Sequence, residues 1–301
     1  MNFVVGQFIG GQVFFYGMAL CSLGCLLRSF FRKALIHSLA RITLFTGIVL
    51  VVLSAAPFSL WVYGLFFAFL AWALIRPLNG PWRGQRFAEG GGRAEKSYSV
   101  WPLLFFLLLS LFMVGTEILH AMPPKFQLAQ GDTLIVVGDS ICMGADPPGK
   151  NWPELLGDLA KLKVKNFSFG GATVATSLDN ARRINLGDAS VIVEIGGNDV
   201  LSSTSIPQFR ADLEKMLALA CGPRRRVAMI ETPLPPFRNQ YGQVQRALAR
   251  EHGVTLIPKR YLASVMSTPG ATVDGLHFSN AGHILFAQKL AEMLVRPAPD
   301  N

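Results

Sequence analysis

Three long stretches within the first 120 residues carry no Asp, Glu, Lys or Arg, and they constrain the fold more than any other feature. They cover residues 1–27, 42–75 and 98–115. A helix needs about 20 mostly apolar residues to cross a bilayer, because lipid offers the backbone no hydrogen-bond partner outside the helix itself. We therefore predict an all-α transmembrane domain over residues 1–121. Its four spans are placed at residues 8–27, 39–56, 58–75 and 100–119.

The middle uncharged stretch is long enough for two short helices, and Pro57 lies where a tight hairpin between them would need it. One long tilted helix is the alternative. Charge placement favours two helices, because basic loops stay on the cytoplasmic side and four spans put both basic loops there. The basic residues are Arg28, Arg32, Lys33 and Arg41 after the first span, and Arg76, Arg83, Arg86, Arg93 and Lys96 before the last.

This topology places the uncharged amino terminus outside and carries everything after His120 to the outer face. The expected location is the bacterial cytoplasmic (inner) membrane, with a second domain at residues 131–297 facing the periplasm or the cell exterior. A cleaved signal peptide is the competing interpretation of the first span. It fits poorly, because the chain starts without a basic region and further spans follow.

The net charge of +9 does not indicate a nucleic-acid partner. Nine Lys or Arg and three Asp or Glu lie before residue 120, so +6 of the +9 belongs to the predicted membrane half and its inner loops. The remaining residues carry only +3 and show no basic face of the kind that nucleic-acid binding requires. The lipid bilayer is the partner that the sequence predicts, and the oligomeric state is left open.

Strand and helix patterns alternate regularly in the second half. Short, apolar, mostly β-branched runs are typical of buried parallel strands, and each is followed by a helical pattern long enough for a right-handed crossover. The pattern predicts a flavodoxin-like, doubly wound α/β domain. The predicted strands are residues 133–137, 164–169, 191–195, 227–230 and 255–257.

Polar and glycine-rich motifs follow three of these strands, where functional residues of such sheets gather. The first strand ends in Gly-Asp-Ser140, so the Ser140 hydroxyl is expected at the start of a helix, whose N–H groups could stabilise an oxyanion. The second ends near Gly171, where the backbone can approach a ligand closely. Asn198 follows the third and could donate its side-chain amide to an oxyanion. Each motif alone could also be an ordinary turn.

Asp274 and His277 lie three residues apart, just before the final helical pattern. A serine hydroxyl is a poor nucleophile until a base removes its proton, and a carboxylate must hold that base in the right tautomer. The pair supplies both roles for Ser140. The chain lacks clustered metal-ligand spacings of the zinc type, so we expect neither a metal nor a cofactor.

These four blocks, in this order, resemble the SGNH (GDSL-type) hydrolase family, and most closely its bacterial thioesterase, arylesterase and lysophospholipase branch. Members of that branch carry a Trp-Pro-x-Leu-Leu helix, which is similar to residues 152–156 here. The resemblance implies Ser140 as nucleophile and His277 as base, with Asp274 orienting it. It also implies an oxyanion hole made by the N–H groups of Ser140 and Gly171 and by the side chain of Asn198.

Two positions depart from the family pattern. Many relatives follow the catalytic histidine with Pro, where this chain has Phe278, and Cys142 replaces a small or hydroxyl residue. Neither change removes a catalytic atom. Whether Cys142 pairs with Cys221 is left open.

The loop after the fourth strand is expected to wall the substrate pocket. Pro235 and Phe237 suit an acyl chain, while Arg238 could meet a phosphate or carboxylate. Location at the outer leaflet favours acyl esters of lipids or O-acyl groups on envelope glycans. Two alternatives remain, an acyltransferase that uses the membrane half to bring an acyl donor to Ser140 and a catalytically silent membrane scaffold or binding module.

Overall fold

The computed structural model describes residues 3–31, 33–75, 100–144, 149–184 and 189–294. The chain divides into two compact units. The α/β unit contains Met1–Gln12, Ala55–Pro57 and His120–Asn301, and the helical unit contains Val13–Ser54 and Phe58–Leu119. The basic segment predicted before the last span, at residues 76–96, lies outside the described residues.

Among the described residues, four helices build the helical unit. Three are long and apolar enough to cross a membrane, and α4, with 16 residues, is shorter. The helices are α2 (Gln12–Phe30), α3 (Ala34–Leu53), α4 (Leu60–Ile75) and α5 (Trp101–Ala121).

Glycines let α2 and α3 pack backbone to backbone. A Cβ atom on Gly17 would lie 2.8 Å from the backbone nitrogen of Val51, and one on Gly47 would lie 2.7 Å from that of Cys21. Small residues permit such close approach between apolar helices, where packing rather than burial from water drives association.

Residues 3–9 form a separate short helix, α1 (Phe3–Ile9), which belongs to the α/β unit. The first predicted span began at residue 8, whereas α2 begins at Gln12. The break follows from Gly10 and Gly11, because Gly11 has a φ of +88°, a conformation that ends a helix and that side chains other than glycine rarely adopt.

The α/β unit is built on five parallel strands in the order β2-β1-β3-β4-β5, which confirms the predicted doubly wound sheet. The strands are β1 (Thr133–Gly138), β2 (Lys163–Asn166), β3 (Ser190–Glu194), β4 (Arg226–Ile230) and β5 (Thr255–Ile257). The helices are α6 (Ser140–Met143), α7 (Trp152–Ala160), α8 (Leu178–Arg182), α9 (Gly197–Leu201), α10 (Ile206–Ala220), α11 (Asn239–Glu251), α12 (Lys259–Met266) and α13 (Asn280–Leu294).

Alternate residues of the central strands enter two different cores, one on each face of the sheet. Ile135 of β1 joins the core that contains Phe209 of α10. Leu134, its neighbour, joins the core that contains Trp152 of α7 and Phe286 of α13. Because side chains along a strand alternate between faces, burial on both faces requires a continuous apolar run, as the sequence has.

A buried ion cluster ties the link between α3 and α4 to the α/β unit. Glu231 lies 2.7 Å from Nε of Arg246 and 3.8 Å from Nζ of Lys259. Burial alone would raise the pKa of Glu231, but the charges of Lys259 and Arg246 lower it below its usual value. Lys259 also donates a hydrogen bond to the carbonyl of Ala55, 204 residues away along the chain.

Candidate active site

Ser140 lies at the carboxyl end of β1, as the sequence predicts. Asp139 caps α6 by accepting a hydrogen bond from the Ile141 backbone N–H at 2.9 Å. Gly138 is required just before this turn, because a Cβ atom there would lie 2.7 Å from the carbonyl oxygen of Glu194. The tight turn presents the Ser140 hydroxyl at the edge of the sheet.

His277 joins Ser140 to Asp274. Its Nε2 lies 3.0 Å from Oγ of Ser140, and its Nδ1 lies 2.6 Å from Oδ2 of Asp274. Oδ1 of Asp274 accepts backbone hydrogen bonds from Leu276 and from His277, both at 2.8 Å. The hydrogen bond from the His277 ring, followed by these backbone bonds, holds the pKa of Asp274 well below its usual range.

The two contacts of the His277 ring determine which of its nitrogens can act as a base. An ionised Asp274 accepts the Nδ1 hydrogen, so Nε2 carries a lone pair directed at the Ser140 hydroxyl. A base oriented by a carboxylate and placed within hydrogen-bond reach of a hydroxyl is the arrangement that activates a serine nucleophile.

The loops after β2 and β3 meet through Asn198. Its Nδ2 donates to the carbonyl of Ala172 at 2.9 Å and lies 3.4 Å from Oδ2 of Asp139. Gly171, next to Ala172, has a φ of +72°, and Gly196 before α9 has a φ of +118°. The structure therefore brings the 170s loop and Asn198 to the edge of the sheet where Ser140 lies.

Asp139, Cys142 and Glu194 form a buried cluster behind the Ser140 turn, and the sequence analysis did not predict this cluster. The Sγ of Cys142 lies 3.1 Å from Oε2 of Glu194, at the end of β3. Burial raises the pKa of Asp139 to about 6, and burial together with the charge of Asp139 raises that of Glu194 well above its usual value. Burial is also the main cause that raises the pKa of the Cys142 thiol. A single carboxylate ending an apolar strand was the only sequence signal.

A cavity of about 280 Å³ adjoins Ser140 and Asn198. Its wall is mainly apolar, and Pro235 is one of the residues that line it. Val5 and Ile9 of α1 also line it, a contribution that sequence reasoning missed. Gly171 is not among the described residues that line this cavity.

Phe237 and Arg238, predicted with Pro235 to bind substrate, lie elsewhere. They line a separate, polar depression with Ser203, to which Arg238 donates a hydrogen bond at 2.9 Å. The side chain of Phe237 is 72% exposed, and its φ of +66° turns the chain away after Pro235. The structure therefore keeps Pro235 at the cavity and separates the next two predicted residues from it.

The cysteines of the α/β unit, Cys142 and Cys221, are both free thiols, so the disulfide left open by the sequence is not formed. Across the described ranges, no group of three or more His, Cys, Asp and Glu side chains is placed to hold a metal ion.

Comparison with known proteins identifies the domain. The sequence model of the GDSL-like Lipase/Acylhydrolase family matches residues 136–285. An arylesterase of Vibrio mimicus is 29% identical over 55% of this chain and 89% of its own length. Esterase TesA of Pseudomonas aeruginosa is 30% identical over 50% of this chain and 82% of its own length. Thioesterase 1/protease 1/lysophospholipase L1 of Escherichia coli K12 is 25% identical over 64% of this chain and 90% of its own length.

The sheet, the serine turn and these relatives together define a serine ester hydrolase. The chain belongs to the GDSL-like lipase/acylhydrolase family, also known as the SGNH family. Its similarity to an arylesterase and to a thioesterase/lysophospholipase confirms the branch that the motifs indicated.

Proposed function

We propose that the chain is a membrane-anchored serine esterase that cleaves acyl esters through an acyl-enzyme, with Ser140, His277 and Asp274 as its catalytic triad. One observation carries the proposal, the 3.0 Å contact between Oγ of Ser140 and Nε2 of His277. In the first step Oγ attacks the ester carbonyl while Nε2 takes the hydroxyl proton. His277 then returns that proton to the alcohol, which leaves, and the acyl group stays on Ser140.

Water completes the cycle. His277, again neutral, removes a proton from a water molecule, whose oxygen attacks the acyl carbon, and the carboxylic acid leaves as Ser140 regains its proton. Asp274 stays ionised throughout, consistent with its lowered pKa, and holds the imidazole in the tautomer that each step needs.

The oxyanion formed in both steps needs hydrogen-bond donors. We assign this role to the backbone N–H groups of Ser140 and Gly171 and to the side-chain amide of Asn198. One hydrogen of that amide is used on the Ala172 carbonyl, and the other has only the 3.4 Å contact with Asp139, so it can turn to the oxyanion. Losing one such donor typically costs about 10² to 10³ in turnover.

The anchoring half of the proposal is a four-span membrane domain with the catalytic unit on the outer face of the cytoplasmic membrane. It is supported by the number of times that the chain crosses the membrane. α1, the link Ala55–Pro57 and the segment from His120 onward belong to one compact unit, so all three lie on one side of a membrane. The number of crossings between α1 and Ala55 is therefore even, as α2 and α3 provide, and the number between Pro57 and His120 is even as well, so α5 needs a second span beside it. The 16 apolar residues of α4 then have to span as well.

The apolar cavity favours the acyl esters of lipids over O-acyl groups of glycans as substrates. An acetylated sugar would place a small acyl group and many hydroxyls in the site, whereas the wall beside Ser140 is largely aliphatic. Burial of aliphatic carbon next to the reacting carbonyl stabilises the complex of a longer acyl ester.

Fluorophosphonate labelling of the detergent-solubilised full chain tests the proposal. The probe should modify the wild-type protein and fail to modify Ser140→Ala, and the same variant should lose hydrolysis of a short activated ester. Ser264→Ala is the matched control, because its hydroxyl donates to the Tyr261 carbonyl, away from the site.

The melting temperature of each variant separates loss of chemistry from loss of folding. A Ser140→Ala protein that is folded and still turns over the ester at the wild-type rate would refute the triad. Anchoring is tested separately, by extraction of the native membranes with carbonate, which should leave the protein in the membrane fraction.

A further inference from the structure

We infer that helix α1, at the amino terminus, forms one wall of the acyl-binding cavity and sets the length of acyl chain that the enzyme accepts. This inference rests on the proposed esterase function. α1 lies outside residues 136–285, the part of the chain that the family model matches.

Close packing holds α1 in place against the α/β unit. Gly6 is buried against Ser267, and any Cβ atom at position 6 would overlap the Cβ of that serine. The carbonyl of Ile9 accepts a hydrogen bond from the backbone N–H of Leu234 at 3.4 Å, and the Ile9 side chain is only 8% exposed. α1 is thus fixed both to the end of α12 and to the loop that follows β4.

One face of α1 borders the cavity. Val5 and Ile9 lie four residues apart, a spacing that places them on the same side of a helix, and both line the cavity. Leu262 and Met266 of α12 have the same spacing and line it too. Each of the two helices therefore contributes a pair of apolar side chains to the wall of a cavity that extends to Ser140.

The composition of the lining identifies the ligand. Among the described residues that line the cavity none is basic, and its two acidic members, Asp139 and Glu194, are buried beneath the serine turn. A phosphate or carboxylate head group would find no basic side chain here to balance its charge, whereas an uncharged hydrocarbon chain loses only its contact with water. The acyl part of the ester fits this space, and the polar alcohol part stays outside it.

The size of the cavity limits the ligand to one chain. About 280 Å³ lies just below the range of about 300–1,000 Å³ that encloses whole drug-sized ligands. Each methylene that enters such a space is worth about fourfold in kcat/KM, until the chain reaches the wall. The substrate class is therefore an ester of a single, medium-length acyl chain.

Acyl-length profiles of the full chain in detergent test the inference. We would measure kcat/KM on p-nitrophenyl esters from acetate to palmitate for the wild type, Val5→Trp, Val5→Ala and Val4→Trp. Val4 is the matched control, since it lies on the same helix, is 59% exposed and is not among the cavity-lining residues. The readout is the ratio of octanoate to acetate, which does not depend on how much of the protein is active.

Val5→Trp should lower that ratio on the order of 100-fold, because the indole occupies the space of several methylenes, and Val5→Ala should move the optimum to longer esters. Val4→Trp should reproduce the wild-type profile. An unchanged ratio in Val5→Trp would overturn the inference and leave the esterase proposal standing. Wild-type turnover that survives Ser140→Ala would instead overturn the proposed function itself.

Discussion

The thiol of Cys142 lies 3.1 Å from Oε2 of Glu194, inside the core and behind the turn that carries Ser140. Cys142 belongs to α6, whereas Glu194 ends β3, so this contact joins the nucleophile helix to the central strand. Glu194 is buried, and its pKa is raised mainly by that burial. A raised pKa favours the protonated carboxyl, which is a neutral hydrogen-bonding group.

Glu194→Gln should therefore be tolerated, while Glu194→Ala should not. The amide keeps the shape and most hydrogen-bonding capacity of a protonated carboxyl, so we expect a loss of less than about 1 kcal/mol in the free energy of unfolding. Alanine leaves a cavity and deprives the Cys142 thiol of its partner, at a cost of about 2–5 kcal/mol. Thermal melting of both variants in detergent measures the difference, and equal damage from both would show that the charge of Glu194 is needed.

Asp139 should make the protein less stable as the pH rises through about 6. Burial raises the pKa of Asp139 in the folded protein to about 6, against about 4 for an unfolded chain. The folded protein therefore holds the proton more tightly, and its stabilising effect, complete below about pH 4, is lost as Asp139 ionises. Between pH 5 and pH 7.5 this loss amounts to about 1 kcal/mol.

Asp139→Asn should remove this part of the pH dependence. Melting temperatures of the variant and the wild type, each at pH 5 and pH 7.5, give the comparison. Asp158→Asn is the control, since its side chain is 58% exposed in an ion pair with Lys150 and should leave the wild-type dependence intact. If Asp139→Asn keeps the full wild-type change in melting temperature between pH 5 and pH 7.5, a group other than Asp139 causes that change.

Asp274→Asn should lower kcat by about 10² to 10⁴-fold while the fold is kept. The amide still offers an acceptor to the backbone N–H groups of Leu276 and His277, but its NH₂ faces Nδ1 and favours the imidazole tautomer that carries its hydrogen towards Ser140. Steady-state kinetics on a short activated ester measures the effect. His252→Asn, a substitution at the end of α11, should keep wild-type kcat, and an equal loss there would point to a general defect.

Cysteine labelling in intact cells should reveal the membrane topology. In a Cys221→Ser background, we expect Lys215→Cys on α10 to react with a membrane-impermeant maleimide added outside. Lys33→Cys, at an exposed position just before α3, should react only after the cells are opened. The opposite pattern would invert the proposed orientation, and labelling of both from outside would remove the four-span arrangement.

Local signals explain why much of the α/β unit could be predicted. The run that forms β1 is apolar and β-branched enough to be buried on both faces, so its assignment did not depend on distant residues. The carboxyl ends of parallel strands meet at one edge of a sheet, and that rule alone predicts that Ser140 and Asn198 lie close together. The roles given to these residues remain predictions that the experiments above address.

Long-range packing explains what could not be predicted. Residues 3–9 are as apolar as the span that follows, and the positive φ of Gly11 and the packing of Gly6 against Ser267 separate them from it. Phe237 follows Pro235 closely, yet its positive φ sends it to another surface. Glu194 is a single carboxylate in an apolar strand, and its partner Cys142 lies 52 residues away along the chain. None of these outcomes leaves a periodic pattern in the sequence.

The contact between Gly6 and Ser267 also has a consequence for biosynthesis. Helix α1 is translated long before the surface that receives it, because Ser267 lies near the other end of the α/β unit. Contacts between such distant parts of a chain form slowly, because a large loop must close first. A growing chain that already contains Ser140 thus still lacks the residues against which α1 packs, and the proposed acyl site can form only after Ser267 has been translated.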